Sequence, residues 1–265
     1  MEVKKLKECC TIIAGQSPES KYYNSNGDGL PFFQGKADFG ELYPSIRVYC
    51  SQPTKIAEKD DILLSVRAPV GPTNLAPCKV CIGRGLTAIR PSEVLLTRYV
   101  LLFFRYFEAQ LASKGTGTTF KAITQDVVKN LEIPIPPLPE QQRIVARIEE
   151  LFSQLDAGVE TLKKTKAQLA VYRQAVLKEA FNSAEVDCKM LPIAEILTKT
   201  RKGMSTGPFG TMIKKSDHKT TGVPMLGIEA RMSVCDSIEQ TVDTALQQAE
   251  AMRQSILKDA FEGRL

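Results

Sequence analysis

The chain has 265 residues, 43% of them hydrophobic and 25% charged, with a formal net charge of +5. That length and apolar content suffice to bury a core, which excludes a disordered chain. The longest apolar run, Tyr99 to Phe107, is broken by Arg105, which excludes a bilayer span. No basic-apolar-small leader opens the sequence and the seven cysteines are an odd number, so reduced thiols, a cytoplasmic location and no membrane partner are expected.

Charge is unevenly placed. Lys and Arg outnumber Asp and Glu by 17 to 13 over residues 1–138 and by 8 to 5 over 182–235, but stand at 7 to 6 over 139–181 and 3 to 6 over 236–265. The two blocks without a long helical pattern carry the excess, and a polyanion would bind there.

Residues 1–138 read as a mixed α/β (α+β) domain. Asp61 to Val66 (DILLSV) and Leu86 to Ile89 (LTAI), bounded by Gly and Pro, are expected strands, and Arg98 to Leu111 an expected helix. Ile133 to Pro139 (IPIPPLP) must be extended, since each proline fixes its own φ and disfavours helix in its predecessor; Pro139-Glu140 then opens a helix. From there to Phe181 no proline intervenes, and Ile148, Leu155, Leu162, Leu169 and Val176 recur every seven residues, flanked by Leu151, Phe152, Val159 and Tyr172. That is a coiled-coil-like seam on a rod of roughly 64 Å. Its expected antiparallel partner is a second helix carrying Ile238, Val242, Ala245, Ala249, Met252 and Ile256 at spacings of three and four.

The chain also repeats itself. YRQAVLKEAF (172–181) and MRQSILKDAF (252–261) are identical at six of ten positions, Gln168 matches Gln248 upstream, and LPFFQG at Leu30 resembles VPMLGI at Val223. The spacing differs: Pro31 to Arg173 is 142 residues, Pro224 to Arg253 only 29. An internal duplication has lost most of its second globular unit. The expected division is therefore a first domain at 1–138, a long helix at 139–182, a remnant at 183–235 and a second helix at 236–265.

Catalytic signatures are missing: no phosphate-binding GxxxxGK[ST] loop, no strand-to-helix GxGxxG, no Asn-Pro-Pro-aromatic tetrapeptide. Asp60 and Asp61 lack the acid-x-Lys of a nuclease and read as a solvated strand entrance. Cys78-Lys-Val-Cys81 lacks the second pair a zinc site usually needs. His218, the one histidine, is expected on the surface of the remnant.

The informative segments are polar and basic. Ser113 to Gln125 (SKGTGTTFKAITQ) sets Lys114 and Lys121 around glycines and threonines, offering amides, hydroxyls and ammonium groups that suit phosphates. Ser65 to Gly71 (SVRAPVG) presents Arg67 at a strand end beside a Pro-Val-Gly turn, where a guanidinium suits a guanine edge. Arg84 stands between Gly83 and Gly85, and Lys36 follows Gly35.

Together these residues resemble the specificity subunits of type I restriction-modification systems. The likeness is strongest in PLPEQQRIV and the two RQ-x-x-LK-x-AF ends, then in GQSP (Gly15 to Pro18), SVRAPVG and KGTGTTFKAIT; in the remnant, GPFGT (Gly207 to Thr211) matches best. The resemblance implies two target-recognition domains, each reading half of a split double-stranded DNA site, held apart by an antiparallel helix pair. It implies a non-catalytic chain without cofactors of its own. S-adenosylmethionine, ATP and Mg belong to partner methylation (M) and restriction (R) subunits, and the helices dock the M subunits. The DNA-facing positions it carries over are Lys36, Arg67, Lys114, Thr116, Thr118, Thr119 and Lys121, with Arg84 added on its charge and glycine context.

The remnant lacks counterparts of SVRAPVG, KGTGTTFKAIT and IPIPPLPEQQR, so the chain is expected to read one half-site and to pair with a second copy through the stripe around Leu169, Tyr172 and Val176. A helical-hairpin interaction protein with no DNA role, and a decayed remnant that assembles nothing, are the alternatives.

Overall fold

The structure, a computed structural model, describes residues 2–115, 122–182 and 228–265. The chain divides into two compact units, residues 1–157 with 249–265, and residues 158–248.

Among its described residues, the first unit holds three sheets. Strand β1 (Glu2–Lys5) leads through the helical turn α1 (Leu6–Cys9) into β2 (Cys10–Ala14). The short strands β3 (Tyr23–Asn24), β4 (Leu30–Phe33), β5 (Tyr49–Cys50) and β6 (Ile56–Ala57) follow, then β7 (Ile62–Ser65), β8 (Thr73–Leu75), β9 (Val80–Ile82) and β10 (Leu86–Pro91). Helix α2 (Thr97–Ser113), the turn α3 (Gln125–Lys129) and β11 (Glu132–Ile135) complete the domain. One sheet runs β2-β10-β7-β8, all antiparallel; a second runs β3-β5-β4-β9-β6, with β4 and β9 parallel; β1 pairs with β11. The expected strands at 61–66 and 86–89 are β7 and β10, registered Leu86 opposite Ser65, and the expected helix is α2. The mixed α+β reading is borne out.

The core lies between the β2-β10-β7-β8 sheet and α2, where Ile62, Leu64 and Ile89 meet Val100, Leu101 and Phe104. Each fully buried aliphatic or aromatic side chain contributes about 1.5–3 kcal/mol. The proline-rich approach to the long helix is held by Gln141, which is fully buried: its amide nitrogen donates to the carbonyls of Val94 and Pro136, both at 2.8 Å, and its oxygen accepts the Leu96 N–H at 2.9 Å, satisfying the start of α2.

Helix α4 (Leu138–Asn182) and helix α5 (Ile228–Phe261) each contribute to both units. In the first unit, Ile144, Val145 and Ile148 of α4 and Leu257 and Ala260 of α5 enter the same core. Phe261 packs among Tyr99, Phe103 and Tyr106 of α2, with ring centroids 5.3, 5.6 and 5.5 Å away. In the second unit the two helical segments run antiparallel: Lys166 pairs with Asp243 at 2.6 Å, and Arg173 with Glu239 at 2.8 Å and Asp236 at 2.5 Å. Hydrogen bonding to Asp243 holds the Lys166 ammonium above its ordinary range.

Three expectations need correction. Ile238 and Met252, placed on the seam, are 40% and 54% exposed; of the stripe expected to be open around Leu169, Tyr172 and Val176, Tyr172 is 51% exposed but Val176 is buried. Next to these positions Arg173, Glu239 and Arg253 each make an ion pair between the helices, Arg253 with Asp156. Arg253 also lies over the Phe152 ring at 5.1 Å. Leu155, Leu162, Leu169 and Ile256 are half-buried and Ile148, Val176 and Val242 buried, as a seam requires. Asp61 is not solvated: its side chain is 3% exposed, takes two hydrogen bonds of 2.8 Å from Arg90 across the sheet and a third from the Glu58 N–H. Finally, α5 starts at Ile228, so residues 228–235 are helical where the remnant was expected. The remainder of that segment, with His218, Cys188 and GPFGT, lies outside the described residues.

Candidate nucleic-acid interface

Lys36, Arg67 and Arg84 stand on three separate segments, and the fold brings them together. All three are exposed and line one open cavity of about 590 Å³ with Gln34, Asp38 and Ser65. An adjoining cavity of about 200 Å³ shares Arg67 and Arg84 and adds Gly15, Thr87 and Gln125. Among the described residues, none of the three cations has a carboxylate within 4.0 Å, so their charge faces solvent.

Each is positioned by a turn held through hydrogen bonds. Lys36 opens a 3-10 turn, Lys36–Asp38, directly after β4, closed by the Phe39 N–H on the Lys36 carbonyl at 2.9 Å. Arg84 lies between two crowded glycines: a Cβ at Gly85 would stand 2.2 Å from the Gln34 carbonyl oxygen, which excludes a side chain, and one at Gly83 would press to 3.1 Å on the Phe32 ring. The Arg84 N–H donates to the Ser17 hydroxyl at 3.2 Å, and the Gly15 N–H to the Leu86 carbonyl at 2.9 Å, so the GQSP segment is the clamp on the arginine.

Arg67 leaves β7 on a turn containing a cis Ala68-Pro69 bond. The Ser65 hydroxyl lies 3.1 Å from the Arg67 carbonyl and 2.9 Å from that of Pro69. Gly71 closes the turn at φ 111°, a conformation that disfavours side chains, and a Cβ there would press to 2.8 Å on Glu108. Burial pushes the Glu108 carboxyl above its ordinary range, with Lys36 and Arg105 pulling the other way. Burial likewise raises the Tyr23 phenol, opposed in part by Arg84.

The polar loop returns to the same place. Arg67 forms a β-bridge with Ala122, and the Ile123 N–H donates to the Val66 carbonyl at 3.0 Å. Thr116, Thr118, Thr119 and Lys121 lie outside the described residues. Lys114, at the end of α2, lines neither cavity; its ammonium sits over the Phe107 ring at 5.4 Å. The two thiols of Cys78-Lys-Val-Cys81 part: Cys81 packs with Phe32 and Cys50, Cys78 against the cluster around Phe33.

Sequence reasoning passed over Gln34 and Asp38, which flank Lys36 in QGKAD. Its search for cations left out the neutral and acidic side chains that share the cavity. No helix among the described residues is long and apolar enough to cross a membrane.

A folded α+β domain with a basic cavity, joined to long paired helices, is the setting for the comparisons with known proteins. The family model of the type I restriction modification DNA specificity domain matches residues 1–170. The chain belongs to that family. It is 40% identical over 167 residues to the putative type I restriction enzyme MjaX specificity subunit of Methanocaldococcus jannaschii, covering 63% of this chain and 38% of that protein. To the type I restriction enzyme EcoKI specificity subunit of Escherichia coli it is 26% identical over 145 residues, covering 50% and 31%.

Among solved structures, the HsdS subunit from Thermoanaerobacter tengcongensis superposes with a TM-score of 0.60 at 46% identity, covering 69% of this chain and 45% of that one. A chain from a structure on complex assembly and conformational transition of the type I R-M system covers all of this chain and 46% of its own length, at TM-score 0.53 and 31% identity. This chain thus spans less than half the length of these relatives.

Proposed function

We propose that this chain is the DNA sequence-recognition, or specificity, subunit of a type I restriction-modification complex, a non-catalytic protein that directs methylation and restriction by its partners. The observation that carries the reading is the convergence of Lys36, Arg67 and Arg84 on one open cavity within the family's specificity domain. Lys114, Thr116, Thr118, Thr119 and Lys121 of the polar loop extend the DNA-facing set. The M subunits dock on α4 and α5, with Tyr172, Ile238 and Met252 available on the exposed faces. S-adenosylmethionine, ATP and Mg act in the M and R subunits, and the complex works in the cytoplasm.

With one recognition domain, the chain reads one half-site, and a second copy supplies the other. The duplication supports this. Leu257 is buried in the domain core, while Leu177, at the same place in the first copy of the repeat, is 37% exposed.

The test is binding to duplex DNA as salt is raised. Affinity is expected to fall steeply, and the triple substitution Lys36→Ala, Arg67→Ala, Arg84→Ala to flatten the log–log slope by roughly 2.7, at about 0.9 per phosphate contact. A helical-hairpin protein without a DNA role would show no slope for either form, and that result would reject the reading.

A further inference from the structure

Two residues of the basic cavity offer more than attraction to phosphate, and one of them opposes it. Asp38 is half-buried at the end of the 3-10 turn, with a carboxylate that accepts but cannot donate; Gln34, exposed on the approach to that turn, carries both a donor and an acceptor. Among the described residues, neither side chain has a hydrogen-bond or ion-pair partner, although three cations line the same cavity. Their backbone is fixed: the Ser45 N–H donates to the Asp38 carbonyl at 2.8 Å, and Gly85 packs directly against the carbonyl of Gln34. A carboxylate among phosphate-binding cations repels the DNA backbone at every sequence. Its favourable partner in a duplex is an exocyclic amine, N4 of cytosine or N6 of adenine, and a glutamine amide matches the N6 and N7 edge of adenine.

Resting on the reading of this chain as a DNA-recognition subunit, we infer that Gln34 and Asp38 form a base-reading ledge for an amino-bearing base, while Lys36, Arg67 and Arg84 supply the attraction to the strand. The ledge makes sequence preference and overall affinity separable. Removing a cation weakens binding to all sequences, whereas changing the ledge alters which sequence is chosen.

The experiment is selection of bound duplexes from a pool with a randomised centre, using the full chain, followed by sequencing. The wild-type chain is expected to enrich a short motif. Asp38→Asn, close to isosteric, is expected to relax discrimination at one base pair by roughly 5- to 100-fold. It should also raise affinity for unselected DNA, because a negative charge has gone. Gln34→Glu should change preference at the same or the neighbouring base pair, and because its side chain is exposed it carries the test even where Asp38→Asn disturbs folding. Both variants selecting the wild-type motif with undiminished discrimination would overturn the ledge and leave DNA recognition standing. A wild-type chain that enriches nothing would overturn DNA recognition itself, and the ledge with it.

Discussion

Phe261→Ala is expected to lower the thermal unfolding midpoint by about 6–12 °C, measured by calorimetry on the full chain. Removing a buried Phe costs about 3–5 kcal/mol, and the half-buried ring of Phe261 places it at the low end; about 3 kcal/mol at 2–4 °C per kcal/mol gives that shift. The reason is specific to the fold. Phe261 comes from the end of the last helix yet fills the space among Tyr99, Phe103 and Tyr106, next to Leu257 and Ala260 in the core. Its contrast is Tyr172, at the equivalent place to Met252 in the repeat and 51% exposed, where truncation to Ala should change stability by less than about 0.5 kcal/mol. An unchanged midpoint for Phe261→Ala would mean that residues 249–265 do not belong to the first unit.

The second large effect is an asymmetry at Asp61 and Arg90. Arg90→Ala leaves a carboxylate that is 3% exposed without its partner, at a cost of about 3 kcal/mol; Asp61→Ala leaves a guanidinium already 42% exposed, which water solvates, at about 1–2 kcal/mol. Urea unfolding of both single variants checks this, the midpoint for Arg90→Ala falling further. Equal losses would mean that the carboxylate is as well hydrated as its partner. The pair joins the start of β7 to β10, the strands that carry Arg67 and Arg84 at their other ends, so it steadies the cavity from a distance.

Much of this architecture can be read from the residues. Strands β7 and β10 are apolar runs bounded by Gly and Pro, and α2 is a long apolar helix. Helix α4 is marked by a proline-rich entry and a seven-residue repeat. These are local signals, and the chain keeps them. The seven-residue register of the seam is kept, but at Ile238 and Met252 hydrophobicity points to the seam whereas the neighbouring Glu239 and Arg253 make the contact and pair across it. Asp61 looked like a solvated strand entrance because its partner is 29 residues away in sequence.

The interface follows the same division. Glycine and proline contexts single out Lys36, Arg67 and Arg84 one at a time, but their shared cavity depends on the parallel pairing of β4 with β9 and on Gly85 packing against Gln34. Neither is encoded locally. A repeat shows that two helix ends are alike; it does not show that one of them completes a distant core. Leu257 and Ala260 of the second copy are buried in the core of the first unit, whereas Tyr172 and Leu177 of the first copy are exposed.

The measurement that tests the central proposal most directly is co-expression of this chain with a methylation subunit, followed by genome-wide mapping of methylated sites. Methylation at one defined motif is predicted, an inverted repeat of a half-site where two copies assemble, and it should vanish with the Lys36, Arg67, Arg84 triple variant. A methylation subunit that co-purifies with the chain yet marks no sequence, or marks the same sequence without it, would contradict the account.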